Sequence, residues 1–115
     1  MLWARGAGRG PFRWPMLALA ALLVAGAAHA RDAAAGRLKA QVCAVCHGPL
    51  GVSTTPDAPN LAAQPAIYLA AQLQAYRSGA RKHEVMAVLA KALTDDDISD
   101  LAAWFASIRI EAQAP

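Results

Sequence analysis

Residues 43–48 read Cys43-Ala44-Val45-Cys46-His47-Gly48, CAVCHG, two thiols three positions apart with an imidazole directly behind the second. Several chemistries use such a pair. A redox dithiol needs its first thiolate activated at a helix N-terminus. Here the pair closes a helical stretch, and no strand–helix alternation of a thioredoxin-like domain is visible. A zinc site can be counted from Cys43, Cys46, His47 and His83, yet the spaced histidine pair of a zinc finger is missing. Adjacent Cys46 and His47 would also crowd one tetrahedron. A Cys43–Cys46 disulfide would close a very short loop, and short loops gain little stability.

Covalent haem attachment is the reading that uses all three side chains. Cys-x-x-Cys-His is the attachment pattern of c-type haem: each thiol adds to a vinyl group, and the imidazole comes to lie beneath the iron. A sixth ligand is then expected. Of the three methionines, Met1 initiates and Met16 lies in the leader described below, so Met86 alone remains, 39 residues beyond His47 in HEVMAVLAKAL. A lone methionine is otherwise a gap-filling core residue; beside a haem motif it is a candidate axial thioether. His83, one turn earlier, is the competing ligand, or else a solvated loop histidine beside Arg81 and Lys82.

The first 30 residues look like a secretory signal. Arg5, Arg9 and Arg13 precede an uncharged apolar run, Met16 to Ala28, which ends in Ala28-His29-Ala30, a small-x-small cleavage pattern. As a helix those 13 residues reach about 20 Å, short of the ~30 Å hydrocarbon core. Cleavage after Ala30 and a periplasmic location are therefore expected, with a retained leader acting as an anchor as the alternative. Of 11 Lys and Arg, three go with the leader, leaving eight against eight Asp and Glu. The remaining chain is formally neutral, and the basic whole-chain balance is no argument for nucleic-acid binding.

Residues 31–115 suffice for one small domain. They are rich in alanine and poor in large apolar residues, so a core of this size needs a staple such as a cofactor. Three helical stretches are predicted. The first runs from Asp32 into the cysteines. The second, PAIYLAAQLQAYRSGA, has Pro65 in its first turn, Leu69, Leu73 and Tyr76 at helical spacing, and Gly79 as its stop. Thr94 caps the third, where Ile98, Leu101, Ala102, Phe105 and Ile108 share a stripe behind Asp95, Asp96 and Asp97. GPLGVSTTPDAPN between the first two reads as loop, and no alternating strand appears. The fold class is all-α.

On these motifs the chain resembles the class I cytochromes c, and more closely the small bacterial subgroup whose two-haem members carry this domain twice. CAVCHG matches the haem motif, APNLAAQPAIYLAAQLQAYRSGAR the proline–leucine–glutamine stretch and its helix, and MAVLAKALTDDDISDLAAWFASI the methionine loop and last helix. Leu93, seven residues after Met86, matches the leucine that ends that loop. The resemblance implies a small cytochrome c fold, three main helices and loops around one haem c per chain, held through Cys43 and Cys46. It implies His47 and Met86 as iron ligands, and a Pro59 carbonyl that accepts a hydrogen bond from His47. It also implies that Gly36 packs against Trp104. Ala40, Ala63, Val88 and Trp104 depart from the usual aromatic, glycine, proline and tyrosine.

With both axial positions filled by protein, no iron site is open to substrate. The expected function is one-electron transfer, by a carrier and not an enzyme. The expected partners are a donor and an acceptor protein, a membrane oxidase or reductase among them. Arg77, Arg81, Lys82 and Lys91 bracket the methionine segment, either as a solvated face or as a positive rim that steers an acidic partner. Two alternatives are a haem subunit of a larger oxidase or dehydrogenase, and a ligand-binding sensor in which Met86 is displaced.

Overall fold

The computed structural model describes residues 31–115; the leader expected over residues 1–30 lies outside them. The described residues form five helices and no strand: α1 (Ala33–Lys39), α2 (Ala44–His47), α3 (Ala66–Ser78), α4 (Glu84–Lys91) and α5 (Asp95–Ser107). The all-α expectation holds, but two of the five helices were not foreseen.

The helix expected to run from Asp32 into the cysteines is two helices. Asp32 caps α1, its carboxylate accepting from the Ala34 and Ala35 amides at 2.8 and 3.1 Å. Beyond Lys39 the chain tightens, and the Cys43 amide donates to the Ala40 carbonyl at 3.0 Å, three residues back. Ala40 is buried there in a cluster with Leu69, Leu101, Ala102 and Phe105, against which Cys43 packs. Tertiary burial of Ala40 therefore sets the break, and Cys43 becomes the residue that opens α2.

The segment carrying Met86, expected as a loop, is the eight-residue helix α4. Its Glu, Met, Leu, Lys and two Ala are strong helix formers. Val88, where the resembled family often has proline, keeps the amide hydrogen that a helix interior needs.

α5 forms as its sequence predicts. The Thr94 hydroxyl accepts from the Asp97 amide at 3.1 Å, and the Asp97 carboxylate accepts from the Thr94 amide at 2.9 Å, a reciprocal capping box. Ile98, Leu101, Ala102 and Phe105 are its buried face. α1 and α3 pack on α5, and α4 packs on α3. The Lys39 ammonium ties α1 to α5, 2.8 Å from both Asp97 and Asp100, and Asp100 also accepts from the Asp32 amide at 2.9 Å. Among the described residues eight hydrophobic side chains are buried, and four of these are alanine. The core is thin.

Candidate functional site

The haem motif occupies α2 and the turn that enters it. The Cys43 carbonyl accepts from the amides of Cys46 and His47 at 3.3 and 2.9 Å, which winds both cysteines and the histidine onto one turn. The thiols are free: Cys43 is half-buried and Cys46 exposed. Burial pushes the Cys43 thiol up, away from the reactive thiolate that a redox dithiol requires. Among the described residues no group of three or more His, Cys, Asp or Glu is placed to hold a metal ion. Gly48 ends α2 at φ 80°, and a Cβ there would lie 2.9 Å from the Val52 carbonyl carbon. A positive φ with main chain this close is a position that favours glycine.

His47 is 7% exposed, and is the one buried polar or charged residue among those described. Its Nδ1 lies 2.8 Å from the Pro59 carbonyl oxygen. A carbonyl only accepts, so Nδ1 carries the proton and Nε2 keeps its lone pair.

The loop that brings Pro59 to this place is held by its own backbone and hydroxyls. The Gly51 carbonyl accepts from the Leu61 and Ala62 amides at 2.7 and 3.0 Å, and the Ala63 amide reaches the Phe105 carbonyl at 2.9 Å. The Asn60 side chain accepts from the Ser53 amide at 2.6 Å. The Ser53 and Thr55 hydroxyls each lie 3.2 Å from the Cys46 carbonyl. Sequence reasoning passed over Ser53, Thr55 and Asn60, whose only signal was a run of polar residues between prolines.

Met86 belongs to a second hydrogen-bond network. It is partly buried on α4, and its amide donates to His83 Nδ1 at 3.3 Å. His83, read as a competing ligand or a solvated loop residue, is the cap of α4. Arg77, one of the cations that bracket this segment, is engaged: its guanidinium meets the Asp95 carboxylate at 2.5 Å and the Leu93 carbonyl at 3.1 Å. Arg81 covers the Tyr76 ring at 4.8 Å and donates to Gln72 at 2.7 Å. Much of the cationic charge near Met86 is thus engaged within the chain.

These residues suit a haem. Two free thiols, an imidazole whose tautomer leaves Nε2 available, and a thioether are the donors that its covalent attachment and iron demand. Leu50, Val52, Ile67, Val85 and Val88 are large apolar side chains that the protein itself leaves exposed, as an apolar prosthetic group would require.

The comparisons agree with this chemistry. A family model for cytochrome c matches residues 25–109. Cytochrome c-554(548) of Halomonas halodenitrificans is 44% identical over 81 residues, which take in 68% of this chain and 98% of that protein. Reduced recombinant cytochrome c4 from Pseudomonas stutzeri, a crystal structure, aligns with a TM-score of 0.66 at 39% identity, over 70% of this chain and 47% of that one. Thiosulfate dehydrogenase from Marichromatium purpuratum aligns with a TM-score of 0.64 at 42% identity, over 68% of this chain and 19% of that one. The chain therefore spans nearly all of the first relative and about half of the cytochrome c4.

Proposed function

Since the chain belongs to the cytochrome c family, we propose that it is a periplasmic one-electron carrier. One haem c is attached through Cys43 and Cys46, with His47 and Met86 as axial ligands. The observation that carries this reading is the 2.8 Å contact between His47 Nδ1 and the Pro59 carbonyl, which prepares Nε2 to bind iron. When bound, the haem supplies reversible one-electron chemistry at iron.

The chain's own residues set the terms of that chemistry. Pro59 holds the proton on Nδ1 and fixes the ring so that Nε2 is left to bind. The soft thioether of Met86 favours the ferrous state. With His47 and Met86 both holding the iron, no coordination site would be left for a substrate, and the chain would carry electrons without transforming one. Export follows from the Arg-flanked apolar leader and its Ala28-His29-Ala30 ending. Cleavage there would leave Asp32, the α1 cap, second in the chain. Among the described residues no helix is long and apolar enough to cross a membrane.

The test is an absorption spectrum of protein coexpressed with haem-maturation machinery, oxidised and then reduced. Covalent haem with the far-red sulfur-to-iron band, lost in Met86→Ala, supports the carrier. Covalent haem without that band moves the function toward ligand binding, and no covalent haem sinks the reading.

The likeness to part of a thiosulfate dehydrogenase favours a second arrangement, in which the domain serves as the haem subunit of a larger dehydrogenase. Co-elution of the haem with one large enzyme through successive columns would establish it. A monodisperse species of the domain's own size would exclude it.

A further inference from the structure

We propose that His83 is a positioning residue for Met86: its ring holds the first turn of α4 so that the thioether is presented to the iron, and while it does so it cannot take the iron itself. This rests on the proposed His47/Met86 ligation.

Two acceptor atoms of His83 are committed to α4. Its Nδ1 accepts from the Met86 amide at 3.3 Å, and its backbone carbonyl accepts from the Ala87 amide at 2.9 Å. Its backbone is extended, φ −164° and ψ 131°, as a helix cap requires. The ring is steadied from α3, where Tyr76 meets it edge-on with centroids 6.4 Å apart. Tyr76 lies under the Arg81 guanidinium, and the Arg81 amide returns to the Ala75 carbonyl at 3.0 Å. A chain of contacts thus runs from the end of α3 to the residue that bears the thioether.

The same geometry separates the two histidines. His47 offers Nε2 because a carbonyl takes the proton on Nδ1. His83 spends its Nδ1 lone pair on an amide, so its ring proton sits on Nε2. To ligate iron it must first release Met86, and capping and ligation are mutually exclusive.

Haem-loaded His83→Ala and His83→Asn are compared with the parent chain. The asparagine oxygen can still cap a helix, whereas alanine cannot. Ferric His83→Ala should bind added imidazole about fivefold more tightly, matching the typical effect of losing one cap, and its far-red sulfur band should weaken. His83→Asn should return both readings to within twofold of the parent.

Parent-like imidazole affinity in His83→Ala overturns the proposal, even if its unfolding midpoint falls, since the contact would then serve only the helix end. An asparagine variant as impaired as alanine overturns it too. Failure of the underlying ligation looks different: the parent itself would lack the sulfur band, and Met86→Ala would bind imidazole as the parent does.

Discussion

Gly36 and Asp100 meet backbone to backbone: a Cβ on Gly36 would lie 2.6 Å from the Asp100 carbonyl carbon and closer still to its oxygen. It would also lie 2.9 Å from the Trp104 Cβ. What Gly36 of α1 faces on α5 includes main chain, which cannot swing aside as a long side chain can. Gly36→Ala should therefore destabilise the holoprotein by about 2 kcal/mol, the usual cost of overpacking. In an open helix the same change would stabilise by up to about 1 kcal/mol, so the sign decides. A thermal midpoint that rises in Gly36→Ala would refute the contact.

Ala63 holds φ at 60°, in the left-handed region, with its amide fixed on the Phe105 carbonyl at 2.9 Å. A side chain there costs roughly 1–2 kcal/mol, part of which glycine returns through the greater freedom of its unfolded chain. Ala63→Gly should raise stability by about 1 kcal/mol in denaturant unfolding followed by haem absorbance. An unchanged or lower midpoint would show that the strain is not felt.

The Lys39–Asp97–Asp100 cluster should make stability depend on pH at both extremes. Hydrogen bonds from Lys39, and then from Thr94, hold Asp97 down to about 2, below the usual carboxylate value of about 4. Lys39 lowers Asp100 as well, and both carboxylates hold Lys39 above its usual range. A lowered acid stabilises the fold above its unfolded value, and that contribution fades as pH falls toward 2. A raised base stabilises below about 10, and its contribution fades as pH climbs past that. Lys39→Met should lower the unfolding midpoint most between about pH 4 and 10. The difference from the parent should shrink at pH 2, while the Thr94 share of the Asp97 shift persists. A pH-independent difference would contradict this.

The apoprotein should be largely unfolded. Among the described residues half of the eight buried hydrophobic side chains are alanine, while Ile67 and Val45 are 81% and 80% exposed. A domain of this size depends on every apolar surface it can cover. Cys43→Ala/Cys46→Ala, which cannot form thioethers, should lose most of its far-UV helical signal. Native helicity without haem would show that the thin core suffices.

Legibility from sequence followed how local each signal was. α5 could be read up to Ser107 because its cap, its acidic first turn and its apolar stripe lie close together in sequence; Ile108, expected on that stripe, is instead the extended residue that ends the helix. The haem motif was equally compact. The break after Lys39 could not be read, since the burial of Ala40 depends on α3 and α5. α4 was missed because the resemblance implied a methionine loop there, and its cap is a histidine and not Ser, Thr, Asp or Asn. Arg77 counted as a free cation until Asp95, eighteen positions on, came beside it. Nothing local distinguished Pro59 from Pro49 or Pro56 either; its direction toward His47 is a property of the folded loop.

The acceptor for His47 is a main-chain oxygen, and this shapes how the protein can vary. No replacement of a side chain deletes that carbonyl, so single-codon changes at position 59 leave the partner atom in the chain. What can remove it is a change in the number of residues between His47 and Pro59. Heritable retuning of the imidazole thus lies with insertions and deletions in that loop, and point mutations act on it only by bending the path that the loop takes.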